Sequence, residues 1–115
     1  MVRLIPPKPI CEEFSLVYEL EGAQKAINFL SKYYKIKRMK IIVDGRRVGR
    51  KNLACYLENN SYFKKNGLKR KIVLHEFYHH LVFNKKIISD KREDARGILE
   101  EREADDYAKR ILNKL

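Results

Sequence analysis

The first third of the chain carries apolar side chains at helical spacing. Between Glu13 and about Tyr34 they recur every three or four residues, as expected of helices that bury one face. Gly22 interrupts this run, so the pattern predicts either one helix or two helices that meet at Gly22. The positions that define the pattern are Phe14, Val17, Tyr18, Leu20, Ala23, Ala26, Ile27 and Leu30.

Three short segments in the middle of the chain are typical of β-strands. Residues 39–43 and 53–57 are rich in β-branched and other apolar side chains, and residues 61–65 form the third candidate. Asp44-Gly45 and Asn59-Asn60 are turn signals between these segments. We therefore expect a small three-stranded antiparallel sheet.

Two further helices are predicted after the strands. Residues 71–83 are apolar almost all round, which is the pattern of a helix buried within a domain. Asn66-Gly67 precedes this helix, and a polar connection leads from its end to a last helix from about Arg92 to Asn113. A helical region, a small sheet and then two helices make an α+β fold.

The length of the chain, 115 residues, suits one domain with one modest core. We expect a single domain over residues 1–115, in which 1–10 form a proline-rich leader and 93–115 a C-terminal helix. No apolar run of about 18 residues and no signal peptide is present, so a soluble, cytoplasmic protein without membrane contact is expected. Cys11 and Cys55 are expected to be buried free thiols.

The formal charge of +11 favours acidic partners such as nucleic acid, anionic membranes or acidic polypeptides. Basic side chains dominate residues 32–51, where Asp44 is the only acid, whereas eight of the fifteen acids lie between Asp90 and Asp106. Neither stacking aromatics nor a reading helix accompanies the basic stretch, so nucleic acid is not the favoured partner. Solvated charge, or complementarity between the two regions in an assembly, explains the distribution better.

Two of the three histidines flank a glutamate in the sequence His75-Glu76-Phe77-Tyr78-His79. Residues four apart on an α-helix lie about 40° apart, so both imidazoles can reach one ion. Glu76 then lies beside the metal, where its carboxylate can take a proton from a zinc-activated water. The alternatives are a satisfied pair of core histidines and an adventitious surface metal site. Ionisable groups in an apolar helix need a partner, and a metal would supply one.

A zinc site with two histidines needs another protein ligand and keeps one position open for water. The remaining histidine, His80, lies about 140° round the helix from His75 and is expected to pack or to face solvent. The ligand is therefore an acid or a cysteine. The richest supply of acids is the segment 100–106 of the last helix.

Helical periodicity selects among these acids. Glu101 and Asp105 share one face of the helix with an apolar stripe, whereas Glu103 lies on nearly the opposite side. Glu101 is therefore the expected third ligand, and Asp105 is expected to accept a hydrogen bond from the far nitrogen of a ligand histidine. The alternative is an exposed charge network on a surface helix. The apolar stripe consists of Ala104, Ala108, Leu112 and Leu115.

Together, H-E-x-x-H and the later E-x-x-A-D resemble the motifs of the gluzincin metallopeptidases. The match is closer to peptidases with an E-x-x-A-[DN]-x-[FY]-A signature, which corresponds here to Glu101, Ala104, Asp105, Tyr107 and Ala108. Small soluble archaeal members, the minigluzincins, are similar to the whole chain in size and element order. The resemblance implies a peptidase with one zinc ion and a latent minimal scaffold, whose C-terminal segment fills the cleft or exchanges between subunits.

The expected reaction is hydrolysis of a peptide bond by zinc-activated water, with Glu76 as general base. The substrate is a polypeptide that pairs in extended form with an edge of the sheet, for which residues 61–65 are predicted. The sequence does not distinguish among seven tyrosines as transition-state donor, and Tyr107 is named as the candidate. The alternative function is a catalytically silent, zinc-stabilised binding or regulatory protein that uses its basic surface for nucleic acid. A homo-oligomer is compatible with either function.

Overall fold

The computed structural model describes residues 5–84 and 96–115, and within these ranges it has four α-helices and one three-stranded sheet. This confirms the α+β prediction. None of the helices in the described ranges is both long and apolar enough to cross a membrane. In chain order the elements are α1 (Lys8–Glu21), α2 (Ala23–Tyr34), β1 (Lys40–Val43), β2 (Ala54–Leu57), β3 (Asn60–Phe63), α3 (Arg70–Phe83) and α4 (Arg96–Asn113).

The predicted first helical region consists of two helices, α1 and α2. They are separated at Gly22, whose φ of 97° is a conformation that residues with a side chain rarely adopt. α1 begins at Lys8, earlier than predicted and inside the expected leader, because proline in the first turn of a helix has a suitable φ and lacks only an unused N–H. Pro6 is fully buried, so the described part of the leader packs onto the fold. Residues 1–4 lie outside the described ranges.

The sheet is mixed, which corrects the prediction of an antiparallel sheet. Its strand order is β1-β3-β2, with β3 parallel to β1 and antiparallel to β2. β2 and β3 form a hairpin whose turn residues, Glu58 and Asn59, both have positive φ, as two-residue hairpin turns require. The connection between Val43 and Ala54 leaves room for one strand between β1 and β2. β3 occupies that position and pairs with both.

The central position of β3 also corrects the predicted substrate edge. Residues 61–65 cannot offer an edge, because both sides of β3 are paired within the sheet. The burial of the strands matches this order: Ser61, Tyr62 and Phe63 are all buried, whereas β1 and β2 are only partly so. The buried hydroxyl of Ser61 donates to the carbonyl oxygen of Lys40 at 2.9 Å, so this polar side chain keeps a partner in the middle of the sheet.

α3 and α4 form the second half of the core. α3 ends at Phe83 as predicted and is buried on most of its circumference. α4 ends at Asn113 as predicted, and the predicted residues 92–95 at its start lie outside the described ranges. The sheet contacts α3 through β2 and α2 through β1, and α1 packs on α2 and contacts α4. The fully buried large side chains of this core include Phe14, Ile27, Leu30, Phe63, Leu74, Phe77, Leu81 and Ile111.

Candidate metal centre and its cleft

Three predicted ligands converge between α3 and α4. His75 Nε2 lies 2.7 Å from one carboxylate oxygen of Glu101, and His79 Nε2 lies 3.1 Å from the other. One ligand atom from each of the three residues lies within 4.8 Å of the others. The helical spacing of the histidines brings their rings together, and the packing of α4 on α3 brings the carboxylate to both. This group could hold a metal ion.

The far nitrogen of each histidine faces a second carboxylate. His75 Nδ1 lies 2.8 Å from Asp105, and His79 Nδ1 lies 2.6 Å from Glu100. A neutral imidazole carries one proton, so it cannot donate to carboxylates from both nitrogens. A cation between the two Nε2 atoms and Glu101 would replace the Nε2 protons and leave each Nδ1–H to donate to its carboxylate. The donor set therefore fits a transition-metal ion.

Glu76 lines the same cleft and is the most buried of the acidic residues there. The residue is 6% exposed. Burial raises the pKa of its carboxyl, an effect that His79 and His75 oppose and Glu101 reinforces. A bound divalent cation would oppose the rise further, because it stabilises the carboxylate. Glu76 is thus a buried group that can accept and hold a proton beside the metal-binding group.

The cleft runs between β2 and α3 and has a volume of about 1060 Å³. Residues 51–58 line one wall, and His75, Glu76 and His79 line the other. β2 pairs with β3 on one side only, and no other described strand pairs with it. The edge of β2 that borders the cleft is therefore available to an extended chain, so β2 replaces residues 61–65 as the candidate substrate edge.

His80 packs inside the protein, which is one of the two environments predicted for it. It is fully buried, and its Nε2 donates to the carbonyl oxygen of Lys37 at 2.6 Å. Its Nδ1 accepts from the hydroxyl of Tyr56 at 2.7 Å. Burial raises the pKa of Tyr56 to about 12, so this hydroxyl remains a donor at neutral pH. The pair ties the end of β2 to α3.

Tyr107 is the one predicted site residue that the structure places elsewhere. It is 2% exposed, its hydroxyl lies 2.9 Å from the hydroxyl of Tyr34, and it does not line the cleft. The buried stripe of α4 is displaced around the helix from the predicted one. Its residues are Ala104, Tyr107, Ala108 and Ile111. Tyr107 is therefore a core residue that lies outside the cleft.

The same displacement explains the positions of the acids on α4. Glu101 and Asp105 border the buried face, so their side chains remain 61% and 58% exposed and face the cleft. Glu103 is exposed, as predicted, and accepts a hydrogen bond from Tyr78 at 2.8 Å. Glu100 was missed. A signal was present, because each of two ligand histidines needs an acceptor for its far nitrogen, a carboxylate can be that acceptor, and Asp105 can serve only one.

The end of α4 lies away from the cleft. None of residues 106–115 lines it, and Lys114 Nζ donates to the carbonyl oxygen of Pro6 at 3.2 Å. Within the described part of one chain, the C-terminal segment thus does not fill the cleft. Both cysteines are free, but only Cys11 is fully buried, whereas Cys55 is half-buried and lines the cleft.

The fold and this group of side chains define a small α+β domain with a candidate metal centre. No protein-family model matches the chain, and neither a curated protein nor a solved structure is significantly similar to it.

Proposed function

We propose that this protein is a zinc-dependent metallopeptidase of the gluzincin type, similar to the minigluzincins. The observation that carries the proposal is the convergence of His75, His79 and Glu101 in a cleft that also contains Glu76. Two imidazoles and one carboxylate are the donor set of hydrolytic zinc sites, in which a fourth position stays open. A bound zinc ion would polarise the scissile carbonyl and lower the pKa of a water molecule.

The residues of the chain have separate roles in this proposal. Asp105 and Glu100 hold the two imidazoles in the tautomer that presents Nε2 to the metal. Glu76 accepts the proton of the attacking water and returns it to the leaving amine, and its burial keeps bulk water away from that proton. The free edge of β2 aligns the substrate by backbone hydrogen bonds, so the substrate is a polypeptide in extended form.

The decisive experiment compares the parent protein with Glu76→Gln. Both are purified without added metal, titrated with zinc, and incubated with an unfolded protein such as reduced casein. We expect one zinc ion in each and cleavage by the parent alone. Dilute samples are included, so that latency caused by self-association would appear as activity that rises on dilution.

The alternative, a silent zinc-stabilised protein that binds nucleic acid, gives a different result. Neither variant would then cleave at any dilution, and both would retain DNA or RNA in a salt-sensitive manner. This combination of results would overturn the peptidase proposal. Equal cleavage by both variants would also contradict it, because the general base would then be unnecessary.

A further inference from the structure

The two walls of the cleft run in the same direction, which gives the cleft two distinct ends. The start of β2 lies beside the start of α3: a Cβ on Gly67 would meet the carbonyl oxygen of Leu53 at 2.4 Å. The end of β2 lies beside the end of α3, where the rings of Tyr56 and Phe83 are 6.0 Å apart. The metal-binding group lies between the two ends.

The first end, at the start of α3, is basic. Lys51 and Lys71 line it from opposite walls, and both are exposed. Neither forms a salt bridge with any residue in the described ranges. Lys71 precedes His75 by one helical turn on the same face, so its ammonium group lies on the metal-bearing side of α3.

The second end, at the end of α3, is apolar and acidic. Leu57 and Phe83 line it and are 55% and 48% exposed, which is unusual for side chains of this size. Glu58 and Val82 complete the described lining there, and no described lysine or arginine belongs to it. Within the described ranges, the residues that line the cleft are therefore polarised along the direction in which an extended substrate would lie.

The acids of α4 that line the cleft contact the histidines and not the two lysines of the basic end. Asp105, the nearest of them, is held by His75 at 2.8 Å, and Glu101 is held by both histidines. A divalent cation at the metal-binding group would add positive charge and further offset these carboxylates. The two lysines therefore remain the charges that an incoming side chain meets at this end.

We infer that the cleft selects polypeptide segments with an aspartate or glutamate on one side of the scissile bond and an apolar side chain on the other. This inference rests on the proposed function, because the metal-binding group defines where the scissile bond lies. Lys71 and His75 are separated by about 6 Å along the helix, and an extended chain advances about 3.3 Å per residue. The acidic side chain is therefore expected two residues from the scissile bond.

A set of fluorescein-labelled decapeptides tests this preference. All share an apolar centre, and the second residue before or after the central peptide bond is Asp, Ala or Lys. Binding is measured by fluorescence anisotropy to full-length Glu76→Gln with zinc added, which removes the proposed base but keeps the cleft. We expect Asp to bind about tenfold more tightly than Lys on one side only, with a preference that weakens as salt increases.

Charge reversal identifies the residues responsible. Lys51→Glu/Lys71→Glu in the same background should reverse the preference, so that the Lys peptide binds better than the Asp peptide. Lys25→Glu/Lys32→Glu is the matched control, because it changes the net charge equally at two exposed positions of α2 outside the cleft. The inference is overturned if the peptides bind equally, or if both double variants change the preference by the same factor.

Cleavage of the same peptides by the parent protein separates the two proposals. Cleavage of all peptides at equal rates would support the peptidase and overturn the charge selection. Binding that depends on Lys51 and Lys71 without any cleavage would support the selection and contradict the peptidase. Neither binding nor cleavage of any peptide would overturn both.

Discussion

His79 is hydrogen-bonded to Glu100 through Nδ1 at 2.6 Å, just as His75 is to Asp105 at 2.8 Å. The two contacts come from residues on either side of Glu101 along α4. Each orients one imidazole so that its Nε2 points to the Glu101 carboxylate. One helix thus supplies both the third metal-binding side chain and the two carboxylates that orient the histidines.

The first prediction concerns these orienting carboxylates. Glu100→Gln and Asp105→Asn should each weaken zinc binding about 10- to 100-fold, because the amide no longer fixes the tautomer or raises the basicity of its histidine. Competition with a chromogenic chelator measures the zinc affinity. Asp106→Asn is the control, since Asp106 is exposed and paired with Arg110 rather than with a histidine. Equal effects in Asp105→Asn and Asp106→Asn would contradict the assigned role.

The second prediction concerns the coupling of metal binding to stability. His75 and His79 belong to α3 and Glu101 to α4, so a bound ion would join the two helices. Zinc at about 100 times its dissociation constant should stabilise the fold by about 2.7 kcal/mol, seen as a rise in melting temperature.

Glu101→Ala should lose most of that rise, whereas Arg102→Ala, at the exposed next position, should keep it. Differential scanning fluorimetry with and without zinc, and with a chelator to reverse the effect, measures both variants. A full zinc-dependent rise in Glu101→Ala would show that the ion binds elsewhere.

The third prediction concerns Tyr107, which the sequence suggested as a catalytic residue and the structure places in the core. Tyr107→Phe removes the hydrogen bond to Tyr34 and should lower the free energy of unfolding by about 1 kcal/mol. Zinc affinity and the rate of cleavage should stay at the level of the parent. Chemical denaturation and the casein assay measure the two quantities. A normal fold with a large loss of cleavage would restore the catalytic role.

The fourth prediction concerns His80 and pH. Burial lowers the pKa of His80 below its ordinary value of 6.5, and the hydrogen bond that the ring donates to the carbonyl oxygen of Lys37 opposes this shift only in part. The unfolded chain therefore binds a proton at this residue more readily than the folded protein does. The stability that His80 contributes is complete above pH 6.5 and is lost as the pH falls from that value through the lower pKa of the folded protein.

The comparison of the parent with His80→Gln isolates this contribution. The difference in free energy of unfolding between the two proteins should shrink as the pH is lowered from about 7.5 to 5, since only the parent carries this titrating group. Urea denaturation at several pH values, in the presence of a chelator, measures the difference. A difference that stays constant over this range would contradict the pKa shift.

Patterns within single helices predicted much of this protein. The spacing of His75 and His79 was sufficient to place both rings on one face of α3, and the end of α1 and the bounds of α2 and α3 followed within a few residues from periodicity and Gly22, whereas the start of α1 at Lys8 did not. These features depend on neighbours three or four positions apart, so the backbone of one helix determines them.

The exact face of α4 was less predictable. Glu101 and Asp105 border its buried stripe, whose centre is shifted toward Tyr107. Alanine, leucine and tyrosine all tolerate burial, so the composition of α4 alone does not define which side packs on α3. For the same reason the sequence did not single out Glu100. Its contact with His79 depends on how α4 packs on α3.

The sequence by itself determined the helices, the α+β class, and the chemistry that His75, Glu76, His79 and Glu101 can offer. The tertiary structure decided that β3 is central, that β2 borders the cleft, and that Lys51 and Lys71 occupy one end of it. The reason is physical: helical periodicity is a local property of the chain, whereas strand order and the faces of a cleft depend on contacts between residues that are distant in sequence.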